Sequence, residues 1–525
     1  MKPSEFLGPR AEVSEPELRR GVRDLMWDAA FASGVGAINS GVVLAAFALH
    51  LGAPNLVIGM LAAAPFWSQL IQAPTVSLVE RVRRRRQICI AALAVGRLAL
   101  APLIVLPFLH QPAIALTVLI VAIAVHYGFN AVCTCSWNSW IRDLIPEREL
   151  GAFTARRSSY VAAVTLIGSL VAGVALDRPQ SLGGQDVVFA GLYAAGFACG
   201  IMSTFKLASA PEPMMAPPGP PMHLGRLLRL PLRDGNFRQL MIFLSSWQFA
   251  VNLATPFITV YLLRQLGFGL TFVLALSVVS QLSNLAVLRG WGVLSDRFSN
   301  KSVLAVAAPS FIACIAALVV ASQIENRLWA AAYLVVLHAF MGMASAGVGL
   351  ASGNIALKLA PRGSATVYIA ANSLITSAAA GAAPILGGVF ADFFARRKLT
   401  LSLQWSNPGG VYELLPIELV QWDFYFLIAA VLGLYALHRL TMVKEQGEIE
   451  NQQMVQEVLL QARRTVRNLS PVAGLRVATA FPSGLMIGLQ RLRLEARRER
   501  LRARRRMHAR KPSIPRASRT TAGNT

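Results

Sequence analysis

An arginine stands in the middle of an apolar stretch of this sequence, in the run AVGRLALAP that contains Arg97. A charged side chain at that depth in an apolar helix is costly unless it faces water or a partner. Arg97 could therefore bind an anionic group of a ligand, or it could pair with a carboxylate. Asp28 is the plausible acid in the same half of the chain, near the start of the first apolar run. Alternatively, Asp28 simply lies at the membrane interface.

Amide and imidazole side chains also occur inside apolar runs, where polar groups are candidates for binding a solute or a coupling ion. His126 and Asn130 are four residues apart, as are Gln248 and Asn252, so each pair lies on one helix face. Histidines titrate near about pH 6.5, so they and Asp28 are candidate proton sites, although facilitated diffusion fits equally well. Hydrogen bonding that only holds the helices together is the alternative for the amides and His126. The candidates are Asp28, Asn39, Arg97, His126, Asn130, Gln248, Asn252, His338 and Asn372.

The elements that carry these residues are long and apolar. The chain has 525 residues, 55% hydrophobic and 14% charged, with a mean hydropathy of +0.52. A soluble domain has nearly twice that charged fraction. Apolar stretches long enough to cross roughly 30 Å of hydrocarbon as helices recur up to about residue 440. We therefore predict an all-α polytopic membrane protein with twelve spans, near 25–50, 56–79, 88–109, 113–141, 157–176, 187–207, 238–263, 267–290, 302–322, 328–352, 364–393 and 422–441.

Basic residues predict the orientation of these spans. Loop 2–3 contains Arg81 and the run 83–86, and loop 4–5 contains Arg148, Arg156 and Arg157. The loops of the other side carry at most one Lys or Arg each, except loop 11–12 with residues 396–398. Because basic loops stay in the cytoplasm, both termini are expected there. The expected location is the bacterial inner membrane.

The sequence also contains an internal repeat. Glu80 and Asp296 are 216 residues apart in similar loops, Pro146 and Pro361 are 215 apart, and Trp27 and Trp247 are 220 apart. Parallel repeats are how one large class of secondary transporters is built, and the Pro-rich segment between the halves cannot form one continuous helix. The predicted regions are an N-terminal segment 1–24, a six-helix bundle 25–207, a linker 208–236, a six-helix bundle 237–441 and a basic tail 442–525.

The loop between spans 8 and 9 identifies a family. Its sequence GVLSDRFSNK resembles the signature G-x-L-x-D-R-x-G-R-[RK] of the major facilitator superfamily. The signature residues are Gly292, Leu294, Asp296, Arg297 and Lys301, and the departures are at positions 299 and 300. The stretch 137–157 also resembles the loop between spans 4 and 5 of bacterial permeases in this superfamily, whereas the first-half copy of the signature is more degraded.

The resemblance implies a fold and a function for the residues named above. It implies two pseudo-repeat bundles whose spans 1, 4, 7 and 10 line a central cavity, and a monomeric transporter of a small solute without cofactor or metal. It also implies a latch at the cytoplasmic side, where Asp296 would meet the start of span 11, near Ser364, and Glu80 the start of span 5. Ordinary solvated loops are the alternative. The residues assigned to this gate are Glu80, Arg81, Gly292, Asp296, Arg297 and Lys301.

The basic tail indicates a partner, and the absence of catalytic sequence motifs bears on whether the protein is an enzyme. Residues 442–525 contain 18 Lys and Arg against 6 Asp and Glu, a composition that favours anionic lipid next to the membrane. Nothing in the tail resembles a nucleic-acid recognition motif, so nucleic acid is not an expected partner. No HExxH, GxSxG or Walker sequence occurs in the chain, so an enzyme is not expected. A transport-inactive receptor or scaffold that acts through the tail is the alternative to a transporter.

Overall fold

The computed structural model describes residues 8–10, 13–178, 182–215, 224–361, 365–407, 410–445 and 456. The described residues between 8 and 445 belong to one compact unit. The predicted basic tail, 442–525, therefore lies almost entirely outside the described residues.

The first two spans are bent helices. Span 1 consists of Glu15–Asn39 and Gly41–His50, which meet at 40°, because Ser40 is extended and Gly41 has a positive φ of 56°. Span 2 consists of Asn55–Gln69 and Gln72–Val82, which meet at 43°. Both breaks lie inside regions that the sequence predicts as single spans.

In the part of the chain that the structure describes, ten further spans lack such a bend, and the prediction of twelve spans is confirmed when each bent pair counts as one. Span 3 begins with Arg85–Leu98 and continues as short 3₁₀ turns to Phe108. Span 7 ends in a π-helical turn, Tyr261–Gln265. Spans 3 to 12 comprise Arg85–Phe108, Pro112–Leu144, Glu147–Asp177, Gln185–Ser209, Gly235–Gln265, Leu270–Arg297, Asn300–Ala321, Arg327–Leu359, Ala365–Phe394 and Gln421–Thr441.

Spans 1 and 12 define two faces of the molecule. We call the face where span 1 begins and span 12 ends the terminal face, and the other the opposite face. A short helix, Leu224–Arg233, lies within the predicted linker 208–236.

A β-hairpin joins spans 11 and 12 and was not predicted. Strands β1, Lys398–Asn407, and β2, Gly410–Val420, pair antiparallel in a register that joins Lys398 to Val420. The first strand reads KLTLSLQWSN, an alternation of apolar and polar residues that is typical of a strand. The alternating pattern is short and lies between two spans, in a segment that the sequence predicts as a loop.

The structure extends the internal repeat with a constant offset of 215 residues. Gly52 and Gly267 follow spans 1 and 7 with left-handed φ values of 78° and 63°, which favour glycine. Arg85 and Asn300 begin spans 3 and 9. Turns and helix starts therefore repeat between the halves.

Glutamates that follow the last span of each half cap the third span of the same half. The Glu212 carboxylate accepts hydrogen bonds from the main-chain N–H groups of Arg85 at 2.6 Å and Arg86 at 3.2 Å. The Glu445 carboxylate accepts one from the main-chain N–H of Lys301 at 2.7 Å. A carboxylate at a helix N-terminus satisfies free N–H groups and interacts favourably with the helix dipole.

Arg85 is the centre of the network in the first half. It is fully buried, pairs with Asp143, and its Nε lies 3.6 Å from the Glu212 carboxylate. Its guanidinium also donates to the carbonyls of Ser139 at 3.0 Å and Pro213 at 2.8 Å. Burial raises the pKa of the Glu212 carboxyl, whereas the hydrogen bonds from the main-chain N–H groups of Arg86 and Arg85 and the charges of both arginines lower it. The sequence placed Arg85 in a basic loop, whereas it begins span 3 inside the protein.

The two departures from the loop signature have local explanations. Ser299 caps span 9, because its hydroxyl oxygen accepts from the main-chain N–H of Ser302 at 3.0 Å. Asn300 is buried, accepts from the Ser295 hydroxyl at 2.6 Å and donates to Glu445 at 3.0 Å. In the degraded first copy, Arg83 stands where the signature has glycine, and it has a left-handed φ of 53°.

Candidate functional site

A cavity of about 550 Å³ lies between the two halves. Its walls come from spans 1, 2, 4, 7, 8, 9 and 10 and are mostly apolar. Among the sequence-predicted candidates, Asn252 and His338 line it. We call it the central cavity.

Span 7 and span 10 each present a polar group at the central cavity. The His338 Nδ1 lies 2.9 Å from the Leu334 carbonyl, so Nδ1 carries the proton and the other ring nitrogen can accept. The Asn252 side-chain amide donates to the Gln248 carbonyl at 2.8 Å and to its side-chain oxygen at 3.2 Å. These bonds stay within one helix, so they do not join different spans.

Two further candidates, Asn39 and Asn372, do not line the central cavity. The Asn39 amide donates to the Val35 carbonyl at 3.0 Å, and its main-chain oxygen accepts from the Tyr127 hydroxyl at 3.1 Å. The side-chain oxygens of Asn39 and Asn372 are buried without a hydrogen-bond partner among the described residues. Asn39 is the last residue before the bend in span 1.

A second cavity, of about 240 Å³, lies inside the first half, and we call it the polar cavity. It brings together Asp28, Arg97 and Asn130, which the sequence named separately. Asp28 is 5% and Arg97 6% exposed. The Asp28 carboxylate accepts a hydrogen bond from the Ser203 hydroxyl at 2.6 Å.

His126 contacts this group without lining the cavity. Its Nδ1 lies 3.1 Å from the Gly96 carbonyl, and its Nε2 lies 3.4 Å from a terminal nitrogen of Arg97. A carbonyl only accepts and a guanidinium only donates, so the proton sits on Nδ1 and Nε2 accepts. A second proton on Nε2 would break the contact with Arg97. Of the proton-site candidates in this half, Asp28 is therefore the better placed.

The polar cavity also contains polar side chains that are not among the sequence candidates, including Trp137, Arg157 and Ser203. The predicted start of span 5, at residue 157, makes Arg157 a loop arginine. The helix begins at Glu147, which places Arg157 almost three turns inside. The Pro146-Glu147 pair is a helix-start signal that could have corrected the boundary.

An aspartate at the end of span 5 joins the two halves at the opposite face. The Asp177 carboxylate accepts hydrogen bonds from the main-chain N–H groups of Leu270 and Thr271, both at 2.8 Å. These residues begin span 8, so a negative charge lies at a helix N-terminus, where it is stabilised. We call this contact the Asp177 clasp.

The same contact recurs 215 residues later. Asp392, at the end of span 11, accepts from the side-chain amide of Asn55 at 2.8 Å and from the main-chain N–H of Leu56 at 3.1 Å. Asn55 and Leu56 begin span 2 and correspond to Leu270 and Thr271 in the repeat. This Asp392 clasp therefore mirrors the Asp177 clasp, and both connect the first half to the second.

Glycines allow the close approach at both clasps. A Cβ on Gly388 would lie 2.5 Å from the Asn55 carbonyl oxygen and 2.6 Å from the Leu56 Cα, both backbone atoms. A Cβ on Gly173 would lie 2.5 Å from the end of the Leu274 side chain. The sequences GVALD, at 173–177, and GVFAD, at 388–392, carry both glycine and aspartate. A search for repeats at the 215-residue offset would have found this motif.

Replacing Asp177 and Asp392 together by Asn should favour separation of the two halves at the opposite face. Each clasp is worth about 0.3–1 kcal/mol as a carboxylate at a helix N-terminus, so the double change should shift the equilibrium between closed and open forms roughly three- to thirty-fold. Labelling of a cysteine introduced at Leu56 measures this opening. Asp186→Asn, at the same face but within the first half, is the control. Equal labelling rates in all variants would contradict a role for the clasps.

The residues assigned to the gate lie at the terminal face. Asp296 and Arg297 are exposed, and Arg297 packs over the Phe298 ring at 4.9 Å. Within the described residues, Asp296 makes no hydrogen bond or ion pair. The start of span 11 near Ser364, its expected partner, lies outside the described residues.

The structure also gives the surroundings of the gate residues in the first half and of the remaining signature residues. Glu80 is half-buried and Arg81 exposed, and neither makes a hydrogen bond or ion pair with the described residues. Lys301 joins the Glu445 cap through its main chain. A Cβ on Gly292 would meet the Leu350 side chain at 3.8 Å, an ordinary contact.

The described residues form twelve spans in two repeated halves around a central cavity, the architecture of a multi-pass membrane transport protein. The family model described as Major Facilitator Superfamily matches residues 26–384. The chain therefore belongs to the major facilitator superfamily, as the loop signature predicted. The family and the fold support membrane transport of a small solute rather than enzymatic activity.

Solved structures of low sequence identity share this fold. A point mutant of the nucleoside transporter NupG superposes with a TM-score of 0.60 at 14% identity, covering 81% of this chain and 100% of that chain. A bacterial homologue of the iron transporter ferroportin, in an inward-facing state, gives 0.58 at 10% identity, with 83% and 100% covered. A bacterial homologue of the human lysosomal transporter Spinster gives 0.51 at 15% identity, with 88% and 100% covered. A search of curated proteins finds no match.

Proposed function

We propose that this protein moves a small solute across the membrane by alternating access, with the two halves rocking about the central cavity. The pair of clasps carries the proposal, because they join the halves at one face through hydrogen bonds that separation would break. The gate residues at the other face, Asp296 and Glu80, make no such bonds to the described residues. Contacts that form alternately at the two faces would open the cavity to one side at a time.

The terminal face is the cytoplasmic face in this proposal, and the membrane is the bacterial inner membrane. Arg81 and Arg84 are exposed there, as are Arg297 and Lys358, and basic residues accumulate on the cytoplasmic side. The clasps would then close the outer face. The protein would act as a monomer, because both partners of each clasp come from the same chain, one from each half.

Asp296 supplies the proposed cytoplasmic latch. A carboxylate that meets the N-terminus of span 11 would stabilise the outward-facing form by about 0.3–1 kcal/mol. Asp296→Asn should therefore slow transport and increase the accessibility of the central cavity from the cytoplasm. Labelling of a cysteine at Ser345, which lines that cavity, measures the second effect. Unchanged labelling and unchanged uptake kinetics would argue against the latch.

The cargo of this proposal carries an anionic group. Arg97 is a buried cation beside a cavity, and it makes no ion pair with Asp28. Asp28 is the proposed proton site if transport is coupled to H⁺. Facilitated diffusion requires no such site, and Asp28→Asn distinguishes the two, because it abolishes uptake against a gradient only in the coupled case.

Reconstitution tests the proposal as a whole. A thermal-shift screen of the purified chain against classes of metabolites identifies a bound solute, and liposomes containing the protein are then assayed for counterflow of that solute. A carrier exchanges labelled for unlabelled solute across the bilayer. A receptor, the alternative function, binds the solute and leaves its distribution unchanged.

The basic tail is proposed to bind anionic lipid at the cytoplasmic surface. Each Lys or Arg near such a surface contributes about 1 kcal/mol, and residues 442–525 carry a large excess of them. Removal of the chain after residue 446 should therefore leave counterflow unchanged while weakening binding to vesicles that contain phosphatidylserine. Loss of counterflow would instead support a function that resides in the tail.

A further inference from the structure

The polar cavity contains more positive than negative charge. Its walls carry two guanidinium groups, Arg97 and Arg157, and one carboxylate, Asp28. Arginine stays protonated in proteins. Neither guanidinium forms an ion pair with Asp28, although both interact with it electrostatically. Asp28 supplies one negative charge and accepts a hydrogen bond from the Ser203 hydroxyl. One carboxylate cannot neutralise two guanidinium groups, so the cavity keeps a net positive charge.

Hydrogen-bond donors around the polar cavity lack acceptors among the described residues. The Nε atoms of Arg97 and Arg157 and the indole nitrogen of Trp137 are buried without a hydrogen-bond partner there. All three side chains line the same cavity. Leaving a buried donor unpaired costs about 1–3 kcal/mol, and more when the group is charged. An acceptor with negative charge would remove this cost.

The two arginines are held in position by their neighbours. The Arg157 guanidinium packs over the Trp137 ring, 4.5 Å from its centroid. A terminal nitrogen of Arg97 contacts His126 at 3.4 Å, and a Cβ on Gly200 would lie 2.7 Å from the Arg97 Cδ. Gly200 therefore leaves the space that the arginine side chain fills. Side chains fixed in this way lose little entropy when they bind a ligand.

We infer that the polar cavity binds the carboxylate group of a small monoanionic solute, held between Arg97 and Arg157. The planar fork of a guanidinium matches a carboxylate through two parallel hydrogen bonds. One added negative charge balances the two arginines and Asp28. The volume of about 240 Å³ equals that of roughly eight waters, which suits a small organic acid. The site lies within the first half, apart from the central cavity.

This inference rests on the proposed function only in treating the solute as cargo, since binding itself requires no transport. A carboxylate that reaches the polar cavity would cross-link spans 3, 4 and 5. Span 4 lines both cavities, because its residue Tyr127 borders the central cavity. The polar cavity would thus recognise the acid group and the central cavity would provide the path.

Binding of benzoate to the purified full-length chain tests the site. Calorimetric titration and thermal unfolding are measured with sodium benzoate, its neutral isostere benzamide, sodium chloride and sodium phosphate, at constant ionic strength. We expect saturable binding of benzoate to the wild-type chain and to Arg156→Gln, an exposed neighbour on the same helix. Arg157→Gln should weaken it at least tenfold. Arg157→Lys, which keeps the charge and protects folding, should weaken it several-fold, because lysine lacks the planar fork.

Four results would overturn the inference. These are no binding of benzoate to the wild-type chain, equal binding of benzamide, equal or tighter binding of chloride or phosphate, and unchanged affinity in both Arg157 variants. Failure of the transport proposal is distinguishable from each of these. In that case benzoate binds with the expected dependence on Arg157, and liposomes show no counterflow of any bound solute.

Discussion

Replacing Arg85 by Gln should lower the stability of the protein by about 3–5 kcal/mol, the range for removing one partner of a buried ion pair. The change removes the cation that pairs with Asp143 and one of the two arginines that interact with the buried Glu212 carboxylate. It also removes the bonds that tie the segment after span 6 to the end of span 4. Thermal unfolding in detergent measures the loss, expected as a fall of roughly 5–10 °C.

Arg84→Gln is the matched control, because Arg84 is the preceding residue in the same basic run and is exposed. It should change the unfolding temperature little, since exposed charges contribute about 0–1 kcal/mol. If the two substitutions had equal effects, Arg85 would be an ordinary loop arginine. That outcome would contradict the buried network in the first half.

Replacing Gly388 by Ala should force spans 2 and 11 apart and slow or abolish transport. The added Cβ would lie 2.5 Å from the carbonyl oxygen of Asn55 and 2.6 Å from the Leu56 Cα. Backbone atoms in a helix cannot move aside singly, and overpacking typically costs about 1–3 kcal/mol. The change should therefore shift the equilibrium roughly five- to more than a hundred-fold toward a form with an open opposite face. Labelling of a cysteine at Leu56 and counterflow in liposomes measure the two consequences.

Gly173→Ala is the informative comparison, because Gly173 occupies the equivalent position in the repeat. Its added Cβ would meet the flexible end of Leu274 at 2.5 Å, which can move, and the Thr271 Cα at 3.3 Å, a milder backbone contact than those at Gly388. Gly191→Ala, which meets nothing within 4 Å, controls for the loss of glycine. The expected order of effects is Gly388, then Gly173, then Gly191. A larger effect at Gly191 than at Gly388 would show that packing between the halves does not decide the result.

The sequence was sufficient for the fold because apolar length and a loop signature carry that information. Twelve spans follow from runs that each cross the membrane, and Asp296 and Lys301 identify the family through their spacing. The bends in spans 1 and 2 were missed, since hydropathy does not register a local break such as the one at Gly41. The hairpin between spans 11 and 12 was missed because its alternation is short.

The candidate site was only partly predictable from the sequence. Asp28, Arg97 and Asn130 were recognisable as polar groups in apolar runs, and the structure brings them to one cavity. Arg157 was not recognised, because an arginine near a span boundary looks like a loop residue until the helix start is known. Asp177 and Asp392 lie at span ends, where a charge is common in membrane proteins. Their role in joining the halves depends on which helix begins opposite each aspartate, and only the three-dimensional structure shows which helix that is.

Distances between spin labels at the two faces test alternating access most directly. One pair of labels is placed at the opposite face, at Leu182 and Leu328. The other pair is placed at the terminal face, at Arg84 and Leu357. Each pair has one label in each half, and all four positions are exposed. The distances are measured by pulsed electron–electron double resonance in the wild-type chain and in the variant in which Asn replaces both Asp177 and Asp392. Alternating access predicts that the variant lengthens the distance at the opposite face and shortens the distance at the terminal face. If both distances stay unchanged, or if both lengthen together, the two halves do not rock about the central cavity.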